Sequence, residues 1–215
     1  MKKLKKILAA FTASVISAVS LCSTFSANAL ANKETFRVYV DVPSNSGVAD
    51  IGLNLRYTPS VTDICTYSKG NVDTDFRLSV VMDDGAYVGV DIWSYAESDM
   101  VSPGTICVLA MTAPSSTKNL FDIVDVNIAR LTNIAGRNLP TSRLRISNVM
   151  VGDVNQDGKV NSEDSTLLSK YLSGSVSLSG DAIRAADTDC DFCVSDADLI
   201  RLNKYLNGEI RYFDR

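Results

Sequence analysis

The stretch Asp153-Val154-Asn155-Gln156-Asp157-Gly158-Lys159-Val160-Asn161-Ser162-Glu163-Asp164 sets oxygen-bearing side chains at positions 1, 3, 5 and 12 of a twelve-residue loop, with glycine at position 6. That spacing suits a hard cation, which takes about six to eight oxygens at about 2.3–2.6 Å. Asp153, Asn155 and Asp157 offer side-chain oxygens, Lys159 a backbone carbonyl and Asp164 a closing carboxylate, with Asn161 in reach through a water. The ion this set predicts is calcium. Gly158 stands where the backbone must turn sharply, a conformation that a residue without Cβ adopts at little cost. After the loop, Leu167, Leu168, Tyr171 and Leu172 fall at helical spacing and Gly174 follows as a C-cap, so the unit reads as loop, then helix.

The same pattern returns 34 residues later. Asp187, Asp189, Asp191 and Asp198 fill positions 1, 3, 5 and 12 of a second loop, and Cys193 stands at position 7, where the first loop has Lys159. Val194 repeats Val160, and Lys204-Tyr205-Leu206-Asn207-Gly208 repeats Lys170-Tyr171-Leu172-Ser173-Gly174. A repeat is far harder to obtain by accident than one acidic loop. Neither loop is preceded by a readable leading helix, since Arg145–Val151 has the pattern of a strand. Position 6 of the second loop is Phe192, and a side chain in a left-handed conformation costs roughly 1 kcal/mol or more. The second calcium site is therefore expected to be the weaker, and Phe192→Gly to tighten it. Cys190 and Cys193 form a C-x-x-C pair at loop positions 4 and 7. With no histidine in the chain and no second nearby pair this makes a poor zinc site, leaving a local disulfide or two spectator thiols.

Two half-hands opening on G-D-V-N-x-D-G-x-V-N-x-x-D closely resemble a type I dockerin, over roughly Val151 to Ile210. The resemblance implies a small calcium-dependent α-helical domain with two EF-hand-like loops, which plugs its protein into a cohesin on a larger bacterial cellulosome scaffoldin. It also implies recognition residues at loop positions 10 and 11 and on the following helix. These are Ser162, Glu163, Ser169 and Lys170 in the first copy, and Asp196, Ala197, Asn203 and Lys204 in the second. The lysines match and the loop pairs do not, so one docking face is expected to be preferred.

At the other end, Met1-Lys2-Lys3-Leu4-Lys5-Lys6, an apolar run from Ile7 to about Phe25 and the sequence Ser26–Ala31 together read as a secretory signal over residues 1–29. No membrane span is expected after its cleavage. Residues 1–29 hold four lysines and no acid, so the rest of the chain carries 17 basic against 25 acidic residues, a formal charge of −8. Nucleic acid is an improbable partner for such a surface. Four cysteines remain (Cys65, Cys107, Cys190, Cys193) in a chain expected to be extracellular, and the sequence leaves their pairing open.

Between Glu34 and Val149 apolar residues fall at every second position. Phe36, Val38, Val40 and Val42 alternate with Arg37, Tyr39 and Asp41, and Ile51, Leu53, Leu55 and Tyr57 alternate with Gly52, Asn54 and Arg56. Further strands are predicted at 76–82, 86–93, 105–113, 121–131 and 143–150, separated by turn chemistry such as Asp83-Asp84-Gly85 and Ser102-Pro103-Gly104. This predicts an all-β antiparallel sandwich over 32–150, followed by the dockerin-like domain over 151–212. Val42-Pro43, Gly47-Val48, Leu53, Leu55, Tyr57, Pro59, Val61 and Gly104-Thr105-Ile106 resemble the cohesin pattern, with Thr58 in place of its aspartate. That likeness implies a jelly-roll receptor for dockerin-bearing proteins. The same patterning suits a carbohydrate-binding module, for which Tyr87, Trp93 and Tyr95 are the candidate stacking rings on polysaccharide. Along the strand, Val88, Val90 and Ile92 are expected to be the buried set.

Catalysis finds little support. The absence of histidine excludes Ser-His-Asp and Cys-His nucleophiles, and the acids Asp83, Asp84, Asp91, Glu97 and Asp99 are of the kind that cluster in turns of most acidic proteins.

Overall fold

Eight strands make up two four-stranded sheets in the computed structural model of the chain, which describes residues 33–57, 61–69, 76–82, 87–94, 99 and 102–213. The expected signal, Thr58, Tyr95, the acids Asp83, Asp84 and Glu97, and the side chain of Cys65 lie outside the described residues. The strands are β1 (Lys33–Val42), β2 (Asp50–Tyr57), β3 (Thr62–Lys69), β4 (Phe76–Met82), β5 (Tyr87–Ser94), β6 (Gly104–Pro114), β7 (Val124–Thr132) and β8 (Arg145–Met150). One sheet has the order β3-β6-β1-β8 and the other β4-β5-β2-β7. The β1·β8, β3·β6, β2·β5, β2·β7 and β4·β5 ladders are antiparallel.

Period-two patterning builds the core. Phe36, Val38, Val40 and Val42 of β1, Ile51, Leu53 and Leu55 of β2, Val88, Val90 and Ile92 of β5, and Leu109 and Met111 of β6 are buried in one cluster. Both sheets contribute to it, so each hides the apolar face of the other. The β2·β5 register sets Leu53 opposite Val90 and Asn54 opposite Gly89, which keeps apolar and polar residues on separate faces.

Local chemistry shifts two strand starts. The strand expected from Phe121 begins only at Val124, because Asn119 accepts a hydrogen bond from Phe121 N (3.0 Å) and caps a 3-10 turn over Leu120–Asp122. Arg143 likewise falls in a 3-10 turn over Thr141–Arg143, so β8 starts at Arg145. Strand β3, which contains Cys65, pairs with β6 across two register shifts, and such irregularity blurs an alternating pattern.

The C-terminal region has three helices: α1 (Ser162–Leu172), α2 (Asp181–Ala186) and α3 (Asp196–Leu206). Leu168 of α1 and Leu202 of α3, equivalent in the repeat, are buried together with Val151, Val154, Ala186 and Phe213. Both long helices start on capping boxes and are followed by left-handed glycines, Gly174 and Gly208 (φ +73° each). The expectation that no helix precedes either loop fails for the second, since α2 ends where that loop begins. At six residues it is too short to display a helical period. No helix among the described residues is long and apolar enough to cross a membrane.

Strand β1 is buried on both faces. Its alternation marks Arg37 and Tyr39 as the solvent side, yet each is only 2% exposed. The C-terminal region covers them, and Glu34–Arg215 form one compact unit. Val151 N donates to Thr35 O (2.8 Å), Phe213 N to Thr35 Oγ1 (3.1 Å) and Tyr205 Oη to Glu34 Oε2 (2.6 Å). From α2, Arg184 donates to both Asp41 carboxylate oxygens (2.9 and 2.8 Å) and to Ser147 Oγ (2.9 Å), with its guanidinium 4.4 Å from the Tyr39 ring centre.

Candidate functional site

Each acidic loop is shaped by its own carboxylates accepting backbone N–H groups. In the first, Asp153 accepts from Asp157 N (3.0 Å) and Gly158 N (2.9 Å), and Asn155 Oδ1 accepts from Asp157 N (3.0 Å). Asp157 accepts from Lys159 N (2.9 Å). Asp164 accepts from Asn155 N (3.0 Å) and Asn161 N (2.8 Å), so the closing residue also completes the capping box of α1. Bonds of this kind turn side-chain oxygens toward the centre of a tight loop and fix the backbone around them.

The second loop repeats these bonds, Asp198 accepting from Asp189 N (3.3 Å) as Asp164 does from Asn155 N, and adds others at positions 2 and 4. Asp187 accepts from Cys190 N (2.8 Å), Asp191 N (3.2 Å) and Phe192 N (3.1 Å). Asp189 accepts from Asp191 N (3.2 Å), Asp191 from Cys193 N (2.7 Å), and Asp198 from Thr188 N (2.7 Å) and Ser195 N (2.8 Å). Position 4 is left-handed in both copies, Gln156 (φ +61°) and Cys190 (φ +64°), and so is position 6, Gly158 (φ +85°) and Phe192 (φ +68°). The backbone that Gly158 was expected to need is therefore also adopted by Phe192.

Carboxyl groups are crowded in both loops. Burial pushes the Asp153, Asp164 and Asp187 carboxyls above the usual carboxylate range, and neighbouring carboxylates (Asp164 beside Asp153, Asp157 beside Asp164, Asp198 beside Asp187) add to the rise. Backbone N–H donors oppose it, and at Asp187 the strongest opposing influence is Arg37. Carboxylate oxygens of Asp187, Asp189 and Asp191 lie within 4.8 Å of one another. Clustered, partly buried carboxylates of this kind are relieved by a hard cation with oxygen preference, which fits calcium and gives a zinc ion none of its favoured nitrogen or sulfur donors.

The remaining expected residues divide cleanly. Ser162, Glu163, Ser169 and Lys170 are exposed on and beside α1, and Asp196, Ala197, Asn203 and Lys204 on and beside α3. Cys193 is exposed and unbridged. Sequence reasoning missed Ile200 on α3, which is 56% exposed and has Thr166 as its counterpart in the first copy. Aligning the repeat through the helices would have found it.

Residues 151–207 match the family model of the type I dockerin domain. Type I dockerins bind calcium, in keeping with the loop chemistry above. Among solved structures, the chain is similar to a non-cellulosomal cohesin from the hyperthermophilic archaeon Archaeoglobus fulgidus, at 12% identity and TM-score 0.38 over 51% of this chain and 75% of that one. It is also similar to the type II cohesin dyad of the adaptor ScaA scaffoldin of Acetivibrio cellulolyticus, at 13% identity and TM-score 0.37 over 50% of this chain and 40% of that one. A type II cohesin domain from the cellulosome of the same organism follows, at 13% identity and TM-score 0.36 over 50% of this chain and 80% of that one. Among curated proteins no match is found.

Proposed function

We propose that the chain is an extracellular cellulosome adaptor of scaffoldin type. Its dockerin region, loaded with two calcium ions through Asp153, Asn155, Asp157, Lys159 and Asp164 and through Asp187, Asp189, Asp191, Cys193 and Asp198, docks on a cohesin of a larger scaffold. Lys159 and Cys193 act through their position-7 carbonyls. Its β-sandwich, cohesin-like in strand pattern, receives a second dockerin-bearing protein. The observation that carries this reading is the duplicated loop: two copies of one carboxylate-to-backbone scheme, each feeding a capped helix whose recognition residues are exposed. The region covers the β1 side of one sheet, which makes the outer face of β5, β2 and β7 the surface available for a partner. That face bears Trp93 (37% exposed) and the Arg130 guanidinium bound to Asp50 and to Asp91 (2.8 Å).

A second reading, polysaccharide binding by the sandwich, is favoured by one feature of the same face. The Tyr87 ring lies across Gly89, close enough that a Cβ there would sit 3.3 Å from its hydroxyl, which donates to Asn54 Oδ1. A ring lying over the sheet, on the same face of β5 as the exposed Trp93 further along the strand, can stack on a sugar. Binding of the full chain to immobilised purified cohesin and dockerin domains, with calcium and with chelator, tests the first reading, and affinity electrophoresis in soluble plant polysaccharides tests the second. Adaptor function predicts calcium-dependent capture by a cohesin and unretarded migration in the gels. Retardation by polysaccharide with no capture would reverse the order of the two.

A further inference from the structure

The two loops are attached to the sandwich differently: the first through Val160, half-buried against the sandwich core, the second through a buried arginine and an aromatic ring. Arg37 of β1, 2% exposed, donates from Nη1 to Asp187 O and from Nη2 to Thr188 O (2.8 Å). These are the carbonyls of loop positions 1 and 2. Thr188 N in turn donates to Asp198 Oδ1 (2.7 Å), so the peptide that Arg37 grips also holds the closing carboxylate. At the opposite side of the loop, Phe192 packs against a cluster made of Tyr39, Val108, Val149, Ala185 and Cys190. Around its ligand positions the first loop meets the sandwich without a buried side chain on its carbonyls, its apolar tie being Val160. Gly158 presents no side chain, the exposed Lys118 lies beside it, and a groove of about 330 Å³ separates Asp153 and Asp157 from Asn119 and Asn148.

A buried guanidinium with two carbonyl partners beside a carboxylate cluster acts as a resident cation. It is strongly directional, always charged and already desolvated. Calcium removal leaves the first loop with mutually repelling carboxylates and only the solvent-exposed Lys118 nearby. The second retains Arg37 against its backbone and Phe192 in the cluster.

We infer that the two loops depend on calcium unequally: Arg37 and Phe192 hold the second loop in its ligand-ready shape without the ion, whereas the first loop is ordered by calcium itself. This rests on the reading of both loops as calcium sites. Its consequence for docking is that the α3 face stays built when calcium is scarce, while the α1 face forms and dissolves with the ion.

Hydrogen–deuterium exchange on the full chain, in saturating calcium and in excess chelator, tests it. In the wild type, chelation should raise exchange over 153–164 by about tenfold or more and over 187–198 by less than about threefold. Arg37→Met, which keeps the stem and removes charge and donors, should make 187–198 respond to chelation as strongly as the first loop. Arg37→Lys, which keeps the charge and loses the fork, separates the two contributions. Phe192→Ala serves if Arg37→Met fails to fold in calcium, and should shift 187–198 in the same direction by less. Equal opening of both loops in the wild type, or a second loop still protected in chelator after Arg37→Met or Phe192→Ala, would overturn the inference. If neither loop responds to chelation and no calcium binding is detected in the wild type, it is the calcium reading itself that fails.

Discussion

Gly158 in the first loop and Phe192 in the second occupy the same left-handed turn and serve it in different ways. Glycine lets the turn form at little cost and leaves the loop to stand by its own hydrogen bonds. Phenylalanine takes roughly 1 kcal/mol of strain, and its ring packs against the cluster around Tyr39. The carboxylate pattern is duplicated, but the support is not. One loop is closed by its own hydrogen bonds with Val160 set against the sandwich core, the other by its own hydrogen bonds with Arg37 of β1 on its carbonyls. A repeat at the level of ligands can therefore hide an asymmetry at the level of stability, and the asymmetry arises wherever one copy is covered by the rest of the chain.

The largest effect expected is at a closing carboxylate. Asp164→Ala removes an acid that is fully buried, accepts two backbone N–H groups and completes the capping box of α1. It should cost about 2–3 kcal/mol in calcium and weaken one calcium site far more than Asn155→Ala does. Thermal unfolding with and without calcium measures the cost, and calorimetric titration measures the affinity. Asp198→Ala, with Arg37 and Phe192 still in place, should leave more of the second loop ordered than Asp164→Ala leaves of the first.

Next comes Gly152→Ala, just before the first loop. Gly152 has φ +89°, and a Cβ there would sit 2.9 Å from Val160 Cγ1 and 3.1 Å from the Phe213 ring, so about 2 kcal/mol should be lost. An unchanged midpoint in urea would show that Phe213 can yield. Phe192→Gly sharpens the comparison most. Relief of strain alone would stabilise, but the half-buried ring is worth about 2 kcal/mol of burial and glycine adds unfolded-state entropy, so a net loss of about 1–2 kcal/mol is expected. A net gain in urea unfolding would restore the sequence-based expectation that strain dominates.

Smaller still is Ile200→Thr, which makes the exposed face of α3 match Thr166 on α1. Stability should change by less than about 0.5 kcal/mol, while affinity for a cohesin captured through the second copy should fall several-fold. No change in affinity would remove Ile200 from the docking face.

Much of this architecture could be read from residue order. The duplicated turn of the two loops was legible because acidic side chains at fixed spacing accept the loop's own N–H groups, and the core faces of β1, β2 and β5 because alternation of side chains has only one buried solution per strand. The burial of Arg37 and Tyr39 was not legible for the same reason. An alternating strand announces that one face is buried and says nothing about a cover arriving from 150 residues away, as Asp187 does for Arg37. Phe192 looked like a defect for a related reason, since the cluster it packs against draws on β1, β6 and β8 as well as on α2 and the loop itself. Helix α2 went unseen because a single short turn of helix carries no period.

Calcium titration of the calcium-stripped full chain by calorimetry is the most direct test of the central claim, that both loops are cation sites built on one scheme. The account predicts two calcium ions bound per chain, one of them abolished by Asp153→Asn and the other by Asp187→Asn. A stoichiometry of one or none, or a stoichiometry untouched by either substitution, would contradict it.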